Sequence, residues 1–202
     1  ARASSSRLTS AILESFLAAF SSSAVQVGER NNRVSETMAA HRSPAVTGGI
    51  FTLSSGDDAV HSDGAVTIQA GEFSIPYCYE GVEGLSVTVE DGTFEITAYD
   101  DGFNAAGGAD SSGFGGRGDP FAASADSFIT INGGTITIVA DGDCLDSNGD
   151  LTINSGTLDL TCNGNGNTAL DCSGSYTNNG GSVTTNDGSE SNPGGMGGGR
   201  PG

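Results

Sequence analysis

The sequence predicts an all-β protein, a right-handed parallel β-helix (solenoid) of about six coils, and three observations predict it. A turn glycine recurs at Gly49, Gly71, Gly92, Gly134, Gly156 and Gly181, with spacings of 22, 21, 42, 22 and 25 residues. An acidic motif, in which an acid is followed by a small, an apolar and a polar residue, starts at Asp58, Glu80, Asp101 and Asp143. Its spacings are 22, 21 and 42, and a degenerate copy, TALDCSG, follows 25 residues later. The runs flanking the glycines, such as AVTIQAGEFSI, FITINGGTITIVA and DLTINSGTLDLTC, alternate apolar with polar residues and are rich in Thr, Val and Ile. Such runs read as strand, turn, strand. Two independent markers sharing a period of about 22 residues indicate a solenoid. Helical spacing and a regular leucine consensus are both missing from the repeats, so a β-helix is expected. Equivalent strands of successive coils would then lie about 4.8 Å apart around one apolar column.

Along the chain, residues 1–48 form a segment of different character. TSAILESFLAAF offers Ser10 as an N-cap and Ile12, Leu13, Phe16, Leu17 and Phe20 on one face, a short amphipathic helix placed to cap the open end of the solenoid. The Arg, Ser and Ala content also fits a targeting remnant, yet Glu14 interrupts any secretory apolar run and no membrane span is expected. The solenoid is placed at 49–187. Its doubled gap of 42 holds one coil plus an inserted loop at 107–127, GGADSSGFGGRGDPFAASADS, which shows no alternation. Residues 188–202, GSESNPGGMGGGRPG, have the composition of a flexible tail or linker.

Charge narrows the function. The chain has 202 residues, a formal net charge of −18 and seven basic residues, all arginine. Five of these stand in residues 1–49 with three acids, whereas residues 50–202 carry 22 acids against Arg117 and Arg200, a balance of −20. Nucleic acid is excluded as a partner, because its phosphates would meet no neutralising surface. Carboxylates stacked coil on coil at about 5 Å repel by about 0.8 kcal/mol in water and by a few kcal/mol at an effective dielectric constant near 20. With no lysine to pair with them, the acid ladder is either solvated and screened or holds a cation. The ligands on offer are hard oxygens, which suit Ca²⁺ better than zinc or copper.

YEGVEG, YDDGFNAAGG, GDPFAASADSFITINGGTITIVADGDCLDSNG and GGMGGGRPG closely resemble a family of secreted bacterial carbohydrate-binding domains, over roughly residues 48 to 202. The resemblance implies a β-helix similar in shape to pectate lyases that binds Ca²⁺ and plant cell-wall polysaccharide, such as cellulose or polygalacturonate, without catalysis. Carried over residue by residue, it assigns metal to Asp57, Asp58, Glu80, Glu83, Asp100, Asp101, Asn104, Asp141, Asp143 and Asp146. The chain departs from the pattern at Phe103, at Cys144 and at Thr168, where the leading acid of the fifth copy is lost, so metal binding is expected to fade toward the C-terminus.

Sugar faces stack on exposed aromatics. In a chain without Trp, Tyr79 and Tyr99, which flank the acids on neighbouring coils, are the first candidates, ahead of Tyr77, Phe114 and Tyr176. Phe51, Phe73, Phe94 and Phe128 fall in alternating runs and are expected in the core. A lyase needs an Arg or Lys base beside calcium, and the solenoid offers only Arg117 and Arg200, so no catalysis is expected. A hydrolase using paired aspartates is the enzymatic alternative. A self-assembling extracellular solenoid, joined head to tail through its open edges, is the structural one. His61 is expected to be solvated, and His41 carries no assignment. A secreted or cell-surface location would permit disulfides. Cys162 and Cys172, on inward parity within one coil, are the expected pair; Cys78 and Cys144 fall two coils apart. Buried thiols are the alternative for all four.

Overall fold

The computed structural model describes residues 43–105 and 126–193, together with three short strands upstream at 28–30, 33–35 and 38–40. The expected helix at 10–20 and most of the insertion at 107–127 lie outside the described residues. Among those described, every regular element is a strand. A hairpin of β1 (Gly28–Arg30) and β2 (Arg33–Ser35) is antiparallel. All remaining pairing is parallel and runs from coil to coil.

Each coil contributes three strands. The first coil has β3 (Met38–Ala40), β4 (Ala45–Val46) and β5 (Ile50–Ser54); the second has β6 (Val60–Ser62), β7 (Val66–Ile68) and β8 (Glu72–Cys78). The third holds β9 (Val82–Gly84), β10 (Val87–Val89) and β11 (Thr93–Ala98), and the fourth β12 (Phe103–Ala105), β13 (Phe128–Ile131) and β14 (Thr135–Ala140). The fifth is β15 (Leu145–Ser147), β16 (Asp150–Ile153) and β17 (Thr157–Cys162), and the sixth β18 (Leu170–Cys172), β19 (Tyr176–Asn178) and β20 (Ser182–Thr185). Like strands stack into three six-stranded parallel sheets, the first starting from β3, the second from β4 and the third from β5. Six coils and three sheets make the β-solenoid that the two periods predict.

The register accounts for the doubled gap. Val87 of β10 pairs directly with Ile129 of β13, and Thr93 of β11 with Thr135 of β14, so the extra residues fall between β12 and β13 without adding a coil. Pairing also begins upstream of residue 49: Met38 pairs with Val60 and Ala45 with Thr67.

Alternation builds the core. In β11, Phe94, Ile96 and Ala98 are buried while Thr93, Glu95 and Thr97 face outward, and the same parity repeats in β14 and β17. Phe51, Phe73 and Phe94 stack at centroid distances of 4.7 Å, and Phe103 meets Phe94 edge-on at 5.5 Å. Burying each such ring stabilises by about 1.5–3 kcal/mol, with about 0.5–1.5 kcal/mol more from ring–ring contact. Phe128 does not join them. As the first residue of β13, level with Asp150, it has outward parity and is 37% exposed.

The turn glycines are required by the stacking. Gly92 has φ of 142°, and a Cβ there would lie 2.9 Å from the carbonyl oxygen of Gly71 in the turn below. On the outside, Asn179 donates to Asn154, Asn154 to Asn132 and Asn132 to Glu90, an amide ladder tying four coils together.

Candidate functional site

The acidic motif becomes two parallel rows at the entrance to the first sheet. Asp58, Glu80, Asp101, Asp143 and Thr168 form a corner row just before β6, β9, β12, β15 and β18. Three residues on, His61, Glu83, Asn104, Asp146 and Asp171 stand level with one another as the middle residues of those strands. The residue types between the rows explain the placement. The apolar position (Val60, Val82, Phe103, Leu145, Leu170) is locked into the core, which turns its neighbour outward. The small position lies at a crowded corner, where a Cβ on Gly102 would come 2.5 Å from the carbonyl oxygen of Cys144.

These acids are not a solvated edge. Asp58, Glu80, Glu83, Asn104, Asp101 and Asp143 are only 3–9% exposed. Backbone amides serve part of the corner row: Asp101 Oδ1 accepts the Asp143 N–H at 2.7 Å, and Asp143 Oδ1 accepts that of Thr168 at 2.5 Å. Asn104 donates its amide to Glu80 Oε1 at 3.0 Å. Within the rows, three buried oxygens have no hydrogen-bond partner, namely Asp58 Oδ1, Glu80 Oε2 and Asn104 Oδ1. An unmatched buried polar atom costs about 1–3 kcal/mol, and more when charged.

Burial shifts the titration of the rows. Desolvation first, then the charges of Glu83, Asp58 and Asp101, push the Glu80 carboxyl up to about 10. Asp101 rises to about 8, chiefly through desolvation and then through Asp146 and Asp100. Asp146 rises to about 7 and Asp143 to about 6, again by burial and then by neighbouring carboxylates or, for Asp143, against the Thr168 hydrogen bond. Glu83 is raised to about 7 by burial, which outweighs its hydrogen bond from His61. His61 is itself raised to about 11 by hydrogen bonds to Asp58 and Glu83. The rows therefore resist full ionisation at neutral pH unless a cation joins them.

Among the described residues, two groups bring possible ligand atoms within 4.8 Å of one another: Asp58, His61 and Glu83 at one end, and Asp143, Asp146 and Asp171 at the other. His61 and Asp171 are the residues that the sequence assignment omitted. Both occupy the strand-row position of the aligned motif, which was the signal available. His61 is not solvated as expected; its Nδ1 lies 2.5 Å from Glu83 and 3.3 Å from Asp58. Thr168 removes a corner acid, but Asp171 keeps the strand row acidic, so carboxylates do not thin out toward the C-terminal coil. Asp57 and Asp141 point into solvent, and Asp100 is half-buried with a hydrogen bond to the Tyr79 hydroxyl.

Tyr79 and Tyr99 stand together beside the rows, their ring centroids 6.1 Å apart at 34°. Tyr99 is 65% exposed and Tyr77, nearby in sequence, 55%. The expected Cys162–Cys172 disulfide is absent, and all four cysteines are free thiols. Cys162 closes β17 in the third sheet with its thiol on the Gly142 carbonyl, whereas Cys172 closes β18 in the first sheet and points toward the Gly174 carbonyl. Shared inward parity does not bring residues of different sheets together.

A family model described as "Carbohydrate-binding domain-containing protein" matches residues 79–196, from the second corner acid's neighbour through the sixth coil. No curated protein and no solved structure matches the chain.

Proposed function

The chain belongs to the carbohydrate-binding domain-containing protein family, and from that premise we propose that it binds cell-wall polysaccharide, an acidic uronan or cellulose, in a calcium-dependent and non-catalytic manner outside the cell. The observation that carries this reading is the buried double row of hard oxygen donors, with Glu80 Oε2 and Asn104 Oδ1 unmatched in its middle, beside the Tyr79–Tyr99 pair.

The donor set fits a hard divalent cation. Glu80 and Asn104 in the middle of the rows, and Asp101, Asp143, Asp146 and Asp171 beyond them, supply only oxygen, and burial has raised the carboxyls so that added positive charge is favoured. When bound, Ca²⁺ would neutralise these carboxylates and offer open positions to a uronate carboxylate. The protein's own residues do the rest. Tyr99 and Tyr79 present ring faces for stacking on a pyranose, and Asp100 holds the Tyr79 hydroxyl in place. The remaining surface is acidic, so direct charge pairing with a uronan would be repulsive.

Absence of catalysis is supported by residue type. The coils at 43–105 and 126–193 contain neither Arg nor Lys, the bases that a calcium-assisted lyase uses. The test is a pull-down on polygalacturonate and on cellulose, with Ca²⁺ and with EDTA. Retention of the uronan in Ca²⁺ and its loss in EDTA, with the protein still folded, is the expected result. Failure to retain either polymer under any calcium level overturns the reading.

A further inference from the structure

We propose that Asp58, His61 and Glu83 form a separate site for a first-row divalent transition-metal ion of the Zn²⁺ class, one that staples the second coil to the third. The inference does not depend on what glycan the protein binds.

The geometry carries it. Ligand atoms of the three side chains lie within 4.8 Å of one another. His61 Nδ1 faces two carboxylates at once, Glu83 Oε2 at 2.5 Å and Asp58 Oδ2 at 3.3 Å. A ring nitrogen carries at most one hydrogen, so it serves two acceptors poorly, whereas a cation between them engages all three groups. The other ring nitrogen, Nε2, lies 3.5 Å from Asp63 Oδ1. With a metal in place of the Nδ1 proton, the remaining proton would sit on Nε2, where the Asp63 carboxylate faces it as an acid does behind a metal-bound histidine.

A second observation points to a ligand. Asp58 is 3% exposed, and its Oδ1 has no hydrogen-bond partner; Glu80 Oε2, within electrostatic reach of Asp58 and Glu83, is equally unmatched. The frame is rigid, since His61 and Glu83 are in register and the Ala59 and Val60 amides donate to the carbonyls of Glu80 and Gly81. One nitrogen and two carboxylates favour Zn²⁺, Co²⁺ or Mn²⁺ over Ca²⁺, which prefers oxygen alone. Binding would release any proton on Nδ1 to solvent. Asp58 and His61 precede the span 79–196 that the family model matches, and Glu83 lies within it.

The experiment uses the full chain stripped with chelator and then titrated with Zn²⁺ in the presence of millimolar Ca²⁺. With only two histidines in the chain, a long-range proton–nitrogen spectrum resolves both rings, and a His41→Asn variant identifies which is which. Zn²⁺ should move the Nδ1 resonance of His61 to the position of a metal-bound nitrogen. His61→Asn should weaken Zn²⁺ at least 100-fold, and Asp63→Asn about 10-fold, while Ca²⁺-induced stabilisation is retained. An unmoved His61 resonance in the unaltered protein overturns the proposal whether or not the variants fold. So does equal Zn²⁺ affinity in a folded His61→Asn protein.

Discussion

In chelator, raising the pH from 5 to 8 should destabilise this solenoid, and Ca²⁺ should offset most of the loss. The sign follows from the direction of the shifts. Asp101, Asp146, Glu80 and Glu83 all have folded values raised above the ordinary carboxyl range. The native state therefore keeps protons that the unfolded chain has lost, and the stability they provide, complete below pH about 4, disappears as pH rises through the folded values. His61 adds to the trend. Its contribution is full below its ordinary value of 6.5 and is lost on the way to about 11. Asp101 alone sets a scale, since it is 9% exposed and raised to about 8. One extra proton held from pH 5 to 8 spans three units at about 1.4 kcal/mol each, about 4 kcal/mol. The neighbouring acids share protons, so their contributions do not simply add to this. In a chain of this length 1 kcal/mol moves Tm by about 2–4 °C, and the expected fall is near 10 °C. Ca²⁺ at a hundredfold excess over its Kd restores about 2.7 kcal/mol, and more at pH 8, where the carboxyls are ionised. The assay is a set of melting curves from pH 5 to 8 in EDTA and in Ca²⁺. A Tm in EDTA that stays level or rises with pH, or a calcium shift equal at both ends, refutes the reasoning.

The rows and the core yield further predictions. Changing Asp143 and Asp146 together to Asn should remove most of the calcium-induced rise in Tm while leaving the β-sheet circular dichroism unchanged. Tyr99→Ala, and Tyr79→Ala beside it, should weaken retention on cellulose, an uncharged polymer whose binding should survive EDTA as long as the fold does; unchanged retention would remove the tyrosines from the site. Phe94→Ala, at the centre of the stack of Phe51, Phe73 and Phe103, should cost about 3–5 kcal/mol in denaturant titration. Gly102→Ala should destabilise far more than Gly56→Ala, because the added methyl meets the Cys144 carbonyl in the first case and open space in the second.

The repeat made the fold legible. A period of about 22 residues with strand alternation leaves few architectures, and the in-register pairs Val87 with Ile129 and Thr135 with Thr157 follow directly from aligning the glycines. The site was legible as a column of positions but not as a set of contacts. Alignment put His61 and Asp171 into the strand row, yet it could not tell that their neighbours would be buried, since Glu83 at 4% exposure depends on packing between coils. The metal assignment implied by the resemblance also includes Asp57 and Asp141, which the chain turns outward at the corner. Parity failed for the cysteines because alternation says which side of a strand a residue takes and nothing about which sheet it belongs to; for Phe128, alternation with Ile129 and Ile131, followed residue by residue, itself places the ring outside.

A solenoid stacks each residue on its own equivalent, so any acidic position that repeats becomes a column of like charges. Faithful repetition would be the worst case, and the strand row avoids it. From the second coil to the sixth it reads His61, Glu83, Asn104, Asp146 and Asp171. The neutral Asn104 stands between Glu83 and Asp146, and it divides the row into the histidine-containing group below and the all-aspartate group above. Its amide also donates to Glu80, whose carboxyl burial and neighbouring charge push up to about 10. The departures from the repeat are thus what convert a repulsive column into two groups of different donor chemistry, nitrogen with oxygen at one end and oxygen alone at the other. Each is small enough for a single cation to neutralise most of its charge, and such local neutralisation would let a chain with no lysine bury this many acids.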